Sequence, residues 1–462
     1  MRQIKYIIGL LLFANFFAVA ASCWLSLGRP LFNLDYVLLL LFCCFPKNSL
    51  SKILLFIFYF SIFSVDLLLI VFQIFPFVRM TDLIYLSSFI FNGPVLYRSL
   101  LLVSVFSLLI SFLFIRDFFL KKIVLTVKQF SVVLSVAIAI FLAKHLLDPL
   151  PKDTTHARFD KQWVGSQLMF FAQHQQSSFV ESVGDHTSKL EPLRFEYSTK
   201  SLFEKIKNQQ PLSKKILLVV NESWGETAKP EHQAAILEAI YQQKDQLEFI
   251  RQGSFNFIGA TVAAEIRELC HKQPTTFDLK DVDASEFEHC LPQQLQQLGY
   301  RTHAMHGAMG IMYDRSIWYP QAGFQDLRFF EQFSTAGVCK SFSGRCDTEL
   351  VPQVKQLLLS SDKSFVYWLT LNTHAPYDDK VFIDGLDCAA LEVKQNSETC
   401  NNYKLQYQFF SALSQLITDP SMKGVEVYVV GDHSPPVFNL GDNFFSFKGS
   451  DVAWIHFKIK PW

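Results

Sequence analysis

The sequence of 462 residues carries no net charge, because 42 lysine and arginine residues balance 42 aspartate and glutamate residues. Charged residues make up only 18% of the chain, and the lack of a basic excess gives no indication of a nucleic-acid partner. No internal repeat or low-complexity tract is present. Charge is scarcest before Leu150, where apolar residues concentrate, and it gathers after Pro151. This asymmetry separates a membrane half from a water-soluble half.

Four apolar runs in the first half are long enough, or nearly so, to cross a hydrocarbon core that needs roughly 20 helical residues. They are Ile7–Leu27, Ile53–Phe75, Leu100–Ile115 and Phe130–Leu147. A fifth run, Leu31–Phe45, is shorter and fits as a return leg, so we expect about five transmembrane helices. The first run is too long, and too closely followed by others, to be a cleaved signal peptide.

Lysine and arginine are distributed unequally over the loops between these runs. Eight fall on one side: Arg2, Lys5, Lys47, Lys52, Arg116, Lys121, Lys122 and Lys128. Three fall on the other: Arg29, Arg79 and Arg98. The richer side is predicted to be cytoplasmic. An odd number of spans then places everything after Leu147 outside. Asp66, within the run Ile53–Phe75, is either a functional intramembrane residue or a hydrogen-bonded structural one.

The cysteines test the predicted placement of the residues after Leu147 outside the membrane. The soluble half contains six cysteines and no Cys-x-x-Cys spacing: Cys270, Cys290, Cys339, Cys346, Cys388 and Cys400. Six cysteines allow 15 pairings, and the short separations favour sequence neighbours, 270–290, 339–346 and 388–400. Such bridges persist in an oxidising compartment. The alternative is a set of free or metal-bound thiols.

Two segments are predicted to lie on the outer membrane surface. Thr81–Gly93 is too short and too polar to cross a membrane, which indicates an amphipathic surface helix. Trp163–Phe171, with aromatic residues among polar ones, has the same character, and packing against the spans is the alternative for both. We therefore predict a transmembrane domain at 1–150, a juxtamembrane connector at 151–212 and an extracytoplasmic domain at 213–462.

The extracytoplasmic half is predicted to be an α/β domain with a mostly parallel sheet covered by helices on both faces. Its strand candidates are continuously apolar, which is typical of strands buried on both sides. They are Ile216–Val220, Thr302–Met305, Phe365–Leu371 and Val425–Val430. Ala234–Gln242 and Thr261–Cys270 have helical patterns and fit between them.

Polar side chains follow each of these strands directly. Glu222 follows the first, His306 the second and His374 the third. Asp432 and His433 follow the last, in "VYVVGDHSPP". Because the carboxyl ends of parallel strands open onto one crevice, we expect these side chains to converge. Glu, Asp and His form a ligand set that suits Zn²⁺ or Mn²⁺; a structural histidine or a simple turn is the alternative at each position.

Thr261 in "FIGATVAAEIRELC" is the best nucleophile candidate. Gly259 breaks the preceding structure, and apolar residues then recur at helical spacing, so the hydroxyl is predicted to lie at a helix start. Free backbone N–H groups and the helix dipole at that end bind phosphate. A metal would lower the pKa of the hydroxyl. The alternative is an ordinary N-cap.

Taken together, these motifs resemble the alkaline phosphatase superfamily, and within it the membrane-anchored sulfatase-like branch of lipoteichoic acid synthases and phosphoethanolamine transferases. In that branch a strand ends in a metal-binding Glu, a later Thr is the metal-bound nucleophile, and a late strand ends in Asp-His. The 39-residue separation of Glu222 and Thr261 fits. The resemblance implies that Glu222, Thr261, Asp432 and His433 bind one divalent metal, Zn²⁺ first, with Mn²⁺ or Mg²⁺ as alternatives.

The resemblance also implies the substrate contacts and the reaction. "MHGAMGIMYDR" is similar to the branch's phosphate-contacting segment, which maps His306 and Arg315, and "NTHAPY" maps His374 beside the reacting phosphate. The implied activity moves a headgroup phosphate from phosphatidylethanolamine or phosphatidylglycerol, through a covalent phospho-Thr261, to an envelope glycan or lipid A. The implied location is a bacterial inner membrane, with the catalytic domain in the periplasm.

Two departures limit the resemblance. The sequence lacks Cys-x-Pro-x-Arg, from which true sulfatases make formylglycine, and this disfavours sulfate ester hydrolysis. Asn221 precedes Glu222 where many hydrolases of the superfamily show an Asp pair, which leaves a second metal site unsupported. The "HG…R" segment favours a glycerol-phosphate pocket, whereas the six cysteines and neutral composition favour phosphoethanolamine, which we place first. A phosphoester hydrolase and an inactive scaffold module are the other functions considered.

Overall fold

The computed structural model describes residues 2–24, 29–46, 48–74, 87, 95–147, 164–172, 189–275, 277–333, 336–339, 344–375, 377, 385–435 and 446–461. These residues form two compact units. Among the described residues, the first consists of apolar helices within 2–74, 97–147 and 164–172. The second is an α/β domain within 189–461, to which residues 87, 95 and 96 are also assigned. The predicted surface helix Thr81–Gly93 lies outside the described residues except for Ser87.

The first unit has four helices that are long and apolar enough to cross a membrane, within the described part of the chain. They are α1 (Arg2–Trp24), α2 (Ser49–Ile74), α3 (Val95–Phe114) and α4 (Val127–Leu147). The fifth predicted span instead contains an 11-residue 3₁₀ helix, Leu34–Cys44. At about 2.0 Å per residue this helix is roughly 22 Å long, shorter than a hydrocarbon core of about 30 Å. The predicted bundle is therefore confirmed for four helices, and the fifth is a shorter element.

Asp66 of α2 lies in a buried polar cluster inside the first unit. Its side chain is fully buried and accepts hydrogen bonds from Arg29 at 2.8 and 2.5 Å. The amide of Gln167 donates to it at 3.0 Å, and the Tyr36 hydroxyl donates at 3.2 Å. Donors from three parts of the unit converge on this one carboxylate. Of the two roles that the sequence allowed for Asp66, functional or structural, these contacts support the structural one.

Residues 164–172 are joined to the loop that follows α1. Strand β1 (Phe32–Asn33) pairs in parallel with β2 (Val164–Gly165). The Asp35 carboxylate accepts from the Ser166 hydroxyl at 2.6 Å and from the Leu168 N–H at 2.8 Å, so it caps the short helix 167–172. Leu168 also packs against the apolar core of this unit. Residues 164–172 therefore pack against the helical unit. This is the alternative to a membrane-surface position that the sequence allowed for Trp163–Phe171.

The second unit is built on one mixed sheet. Its strand order is β5 (Gly225–Thr227), β12 (Phe447–Ile459), β11 (Glu426–Gly431), β4 (Lys215–Asn221), β10 (Ser364–Leu369), β8 (Arg301–His306) and β9 (Asp326–Arg328), and β6 (Leu247–Asn256) also pairs with β12. The four central strands are β11 (Glu426–Gly431), β4 (Lys215–Asn221), β10 (Ser364–Leu369) and β8 (Arg301–His306). They run parallel to one another, as does β9 (Asp326–Arg328). All four predicted strands are therefore present, and they are adjacent in the sheet.

Helices cover both faces of the sheet, as β10 shows. Tyr367 points to one face, where its hydroxyl donates to Glu265 of the helix Thr261–Cys270. The next residue, Trp368, points to the other face and packs on Phe409 of the long helix Glu398–Thr418. Alternate residues of a strand point to opposite faces, so these two contacts confirm the predicted sheet with helices on both sides.

The antiparallel edge of the sheet was not predicted. Strand β12 (Phe447–Ile459) pairs antiparallel with β11, with β5 (Gly225–Thr227) and with β6 (Leu247–Asn256). A small sheet joins β3 (Leu190–Pro192) to β7 (Lys272–Pro274). Part of the segment predicted as a connector therefore belongs to the second unit.

The remaining helices continue the numbering in chain order. They are α5 (Lys200–Lys207), α6 (Pro230–Ile236), α7 (Glu238–Tyr241), α8 (Thr261–Cys270), α9 (Leu291–Gln297), α10 (Arg315–Gln321), α11 (Asp347–Leu358) and α12 (Glu398–Thr418). The bounds of α8 are those predicted, whereas the single helix predicted at Ala234–Gln242 is divided into α6 and α7. The three disulfides join the neighbours favoured by sequence: 270–290, 339–346 and 388–400.

Candidate active site and metal centre

The site lies where β4 and β11 end side by side. Gly431 is paired with Asn221 in the last register position, so Glu222 and Asp432 leave the sheet as neighbours. The chain after Glu222 then folds over β11 so closely that a Cβ atom on Gly431 would lie 1.9 Å from the Trp224 carbonyl oxygen. Only glycine permits this close approach of the two chain segments. The approach determines the position of Asp432 relative to Glu222.

Glu222, Asp432 and His433 form a cluster whose ligand atoms all lie within 4.8 Å of one another, the one group of metal-ligating type found among the described residues. The His433 Nε2 atom is 3.4 Å from Glu222 Oε1 and 3.3 Å from Asp432 Oδ2. The Nδ1 atom lies 3.0 Å from the Ser434 carbonyl, so it carries the proton and leaves the Nε2 lone pair toward the carboxylates. A ligating histidine usually donates its other N–H in this way.

The oxygen atom Asp432 Oδ2 supports the same interpretation. It is buried and has no hydrogen-bond partner, while Oδ1 of the same carboxylate accepts two backbone N–H groups, those of Ser223 and His433, each at 2.7 Å. A buried carboxylate oxygen without a donor costs free energy unless a proton or a cation meets it. The donor set of two carboxylates and an imidazole therefore fits a divalent cation.

Thr261 joins this cluster from the start of α8. Its hydroxyl lies 3.4 Å from Glu222 Oε2 and also interacts with the Asp432 carboxylate. The N-cap position is occupied by Ala260, which makes no side-chain cap bond. Thr261 is thus the first helical residue and not the N-cap, so its hydroxyl is directed to the cluster rather than to its own helix. The start of a helix suits an anion.

The cluster is electrostatically coupled. Burial and the neighbouring Glu222 raise the pKa of Asp432 to about 6, and burial also raises the pKa of Glu222. Burial opposes the charged form of His433, but the two carboxylates outweigh it and raise the pKa of this imidazole. Two neighbouring carboxylates repel each other and both attract a positive charge, so their arrangement favours the binding of a cation.

His374 and His306, the other predicted histidines, lie at the ends of the next two strands. His374 follows β10, and burial together with the charge of His433 lowers its pKa to about 4. His306 ends β8, two strands from β4 and therefore about 10 Å away across the sheet. Its Nδ1–H donates to the Leu369 carbonyl at 2.9 Å, and burial and the charge of Arg315 lower its pKa to about 3. Both imidazoles are neutral at neutral pH.

Arg315 is placed differently from the other predicted residues. Its side chain is buried, and its Nε and Nη2 atoms donate to Glu265 Oε2 at 3.0 and 2.8 Å. The hydroxyls of Tyr319 and Tyr367 donate to the other oxygen of Glu265. The structure therefore joins Arg315 to α8 through Glu265, and its charge reaches His306 and Glu222 only through space.

Three residues that hold the turn after β4 were missed by sequence reasoning. Ser223 has a left-handed backbone, at φ 52°, and its hydroxyl donates to Glu222 Oε1 at 2.9 Å. Asn402 and Gln406 of α12 donate to carbonyl oxygens of the same turn. The available signal was the four-residue spacing of two amides in "NNYKLQ", which places both on one face of a helix that is otherwise apolar on that side.

Part of this chain is similar to a known protein family. The Sulfatase family model matches residues 260–446, a segment that includes Thr261, His306, His374, Asp432 and His433 and that leaves Glu222 outside. The match confirms the sulfatase-like resemblance for this part of the chain. No sequence of a curated protein matches the chain.

Several solved structures are similar. The integral membrane lipooligosaccharide phosphoethanolamine transferase A (EptA) from Neisseria meningitidis aligns over 99% of this chain and 89% of its own, at 13% identity and a TM-score of 0.43. The lipoteichoic acid synthase LtaP from Listeria monocytogenes aligns over 55% and 71%, at 15% identity and 0.40. The phosphoglycerol transferase GacH from Streptococcus pyogenes aligns over 58% and 78%, at 15% identity and 0.37. Likenesses at this level do not by themselves assign a function.

Proposed function

We propose that this protein is a metal-dependent phosphotransferase that moves a phospholipid headgroup phosphate to an acceptor in the cell envelope. One observation carries the proposal. The Thr261 hydroxyl, at the start of a helix, lies 3.4 Å from Glu222 Oε2 and beside Asp432 and His433. A hydroxyl, two carboxylates and an imidazole at an anion-binding helix start are the parts that a covalent phosphoryl transfer needs.

Glu222, Thr261, Asp432 and His433 would hold one divalent cation, with Zn²⁺ favoured by the imidazole and Mn²⁺ or Mg²⁺ as alternatives. When bound, the cation would lower the pKa of the Thr261 hydroxyl and neutralise part of the phosphate charge. Asn221, whose amide is bonded at both ends to Gln406 and Thr370, is not available as a ligand of a second cation.

In the first displacement, Thr261 Oγ1 attacks the phosphorus of a phospholipid headgroup. The new P–O bond to Thr261 forms as the P–O bond to diacylglycerol breaks, and the proton given up by the Thr261 hydroxyl ends on the departing oxygen. The N–H groups of the first turn of α8 would hold the phosphate oxygens. His374 is neutral at neutral pH, so its role would be to pass a proton rather than to supply a positive charge.

In the second displacement, a hydroxyl of an envelope glycan or lipid A attacks the same phosphorus. The proton of this hydroxyl ends on Thr261 Oγ1 as the P–O bond to Thr261 breaks, and the threonine is regenerated. His306 is neutral and has its Nδ1–H fixed on the Leu369 carbonyl, so its role would be to accept a hydrogen bond from the attacking hydroxyl rather than to keep the proton. The headgroup is phosphoethanolamine in our first choice and glycerol phosphate in the second.

The helices of the first unit suit a donor confined to a bilayer. Four of them are long and apolar enough to cross a membrane. The three disulfides of the second unit suit an oxidising compartment. The proposed location is therefore the bacterial inner membrane, with the second unit in the periplasm and phosphatidylethanolamine or phosphatidylglycerol as the donor.

The test uses full-length protein in micelles that contain either phospholipid. We expect the wild type to release diacylglycerol and to carry the headgroup phosphate on Thr261, as seen by mass spectrometry of the peptide. Thr261→Ala should abolish both signals, whereas Thr418→Ala, which changes an exposed threonine of α12, should leave both intact. An adduct that decays equally fast with and without a glycan acceptor would show a hydrolase instead.

A cellular arm decides between catalysis and scaffolding. Lipid analysis of cells with and without the protein should reveal a missing phosphate-linked headgroup on a surface glycan or on lipid A. Complementation by Thr261→Ala should fail. Complete complementation by this variant would contradict the proposal and favour an inactive module that recruits envelope machinery.

A further inference from the structure

Glu222 lies beyond the last ladder position of β4, so its backbone groups cannot be satisfied by the sheet. Buried backbone N–H and C=O groups nevertheless need partners. The structure supplies them from side chains: the Glu222 N–H donates to the Thr370 hydroxyl at 2.8 Å, and the Glu222 carbonyl accepts from the Gln406 amide at 3.0 Å. Both ends of this peptide position are thus set by other elements.

These side chains form a closed ring of hydrogen bonds. The Thr370 hydroxyl donates to Asn221 Oδ1 at 2.9 Å, and Asn221 Nδ2 donates to Gln406 Oε1 at 2.6 Å. Gln406 Nε2 then returns to the Glu222 carbonyl. Asn221, Thr370 and Gln406 are all fully buried. The four bonds have consistent directions around the ring, and the Thr373 hydroxyl also donates to the Glu222 carbonyl, so side chains of other elements fix the position of the Glu222 backbone.

Gln406 also controls the next residue. Its Nε2 donates to the Ser223 carbonyl at 3.1 Å, and Asn402 Nδ2 donates to the same oxygen at 3.1 Å. Ser223 is the residue that joins the two carboxylates, because its N–H donates to Asp432 Oδ1 and its hydroxyl donates to Glu222 Oε1. A turn with a positive φ needs such support from its surroundings.

The helix that carries both amides is itself fixed at its start. Ser397 caps α12 by accepting the Cys400 N–H at 3.1 Å, and Cys400 is bonded to Cys388. The amide of Asn402 follows two residues later. Gln406 therefore contacts the turn from a helix whose start is fixed by a cap and a disulfide, and not from a loop.

We propose that Gln406 is a positioning residue of the metal centre: its amide sets the Glu222–Ser223 turn, and through it the separation of the Glu222 and Asp432 carboxylates. Gln406 touches neither substrate nor cation in this proposal. The inference rests on the proposed function, because it presumes that Glu222 and Asp432 bind a cation. Residues that orient metal ligands typically change metal affinity about 10- to 100-fold when they are replaced.

The experiment measures Zn²⁺ affinity by competition with a fluorescent chelator, using metal-stripped full-length protein in micelles. Gln406→Met keeps the length of the side chain and removes both amide groups. Gln408→Met is the matched control, since Gln408 is a buried glutamine of the same helix whose Oε1 atom accepts no hydrogen bond from any described residue. The melting temperature of each metal-free variant is recorded in parallel.

We expect Gln406→Met to weaken Zn²⁺ binding about 10- to 100-fold, and Gln408→Met to bind Zn²⁺ like the wild type even where its melting temperature falls as far. Wild-type affinity in a folded Gln406→Met protein, or an equal loss in Gln408→Met, would overturn the proposal.

Asn402→Ala provides the second variant if Gln406→Met fails to fold. It removes one of the two bonds to the Ser223 carbonyl and should weaken Zn²⁺ binding in the same direction. Wild-type affinity in this variant, or its failure to fold without metal, would show that the amides serve folding and would overturn the proposal. A wild-type protein that binds neither Zn²⁺ nor Mn²⁺ would refute the metal centre itself, which is a different result from an unchanged Gln406 variant.

Discussion

Replacing Arg315 by Met should destabilise the second unit by about 3 to 5 kcal/mol, the usual cost of removing one partner of a buried ion pair. The side chains of Arg315 and Glu265 are 3% and 0% exposed, and two hydrogen bonds at 3.0 and 2.8 Å join them. Without the guanidinium, the Glu265 carboxylate keeps only the hydroxyls of Tyr319 and Tyr367. At about 2 to 4 °C per kcal/mol for a domain of this size, the melting temperature should fall by roughly 6 to 20 °C.

Thermal unfolding in micelles can be followed by tryptophan fluorescence, because Trp224, Trp318 and Trp368 are almost completely buried in this unit. The double variant Arg315→Met, Glu265→Gln should recover much of the loss, since no charge is then left unpaired.

Arg194→Met is the control. Arg194 is 77% exposed and lies 3.9 Å from Glu191, so its loss should cost less than about 1 kcal/mol. A single Arg315 variant that melts like the wild type, or a double variant no more stable than the single, would refute the reasoning. An unchanged melting temperature with a raised KM for the lipid donor would instead support the substrate contact implied by the resemblance.

Three further substitutions test other parts of the structure. Burial raises the pKa of Asp347 to about 7, so the native protein keeps a proton that the unfolded chain releases near pH 4, and stability falls as the pH rises between these values. Asp347→Asn should remove this fall. Thermal unfolding should then show a gain in the free energy of unfolding of at most about 4 kcal/mol at pH 8 and no gain at pH 4. Equal gains at both pH values would contradict the raised pKa of Asp347. Asp66→Asn leaves a buried arginine without its anion and should speed alkylation of the buried Cys43 in micelles, and an unchanged rate would count against the cluster. Gly431→Ala places a Cβ 1.9 Å from a backbone oxygen, so it should cost about 3 kcal/mol or more and weaken Zn²⁺ binding; normal affinity would show that the turn can move.

The central strands and the helix of Thr261 could be predicted because local patterns determine them. Four continuously apolar runs have few alternatives to burial on both faces, and the polar residue that follows each run marks where the chain leaves the core. The candidate ligands could be proposed for the same reason, since Glu222 and Asp432 directly follow such runs. The disulfides could be predicted because each joins cysteines at most 20 residues apart.

Features that depend on distant partners could not be predicted. After Phe447, strand β12 continues with Lys448, Gly449 and Ser450, a polar stretch that has no strand signal, and the strand forms because β11 and β6 flank it. The ion pair of Arg315 with Glu265 could not be predicted, because nothing in the sequence links two residues 50 positions apart; the substrate contact implied by the resemblance stays a prediction. Likewise, the amide of Gln406 meets the Glu222 carbonyl across 184 residues, a separation at which no local pattern operates.

The strand order has a consequence for the timing of synthesis. Strand β4 lies between β10 and β11, which are both made much later in the chain, and the bond from Ser223 to Asp432 spans 209 positions. Long-range parallel pairings of this kind form slowly and late. A nascent or half-exported chain can carry Thr261 well before Asp432 and His433 have left the ribosome or crossed the bilayer. In the proposed function, the metal centre is therefore completed only by one of the last strands to be made, so an unfinished chain would lack two of the ligands that Thr261 needs to attack a phospholipid.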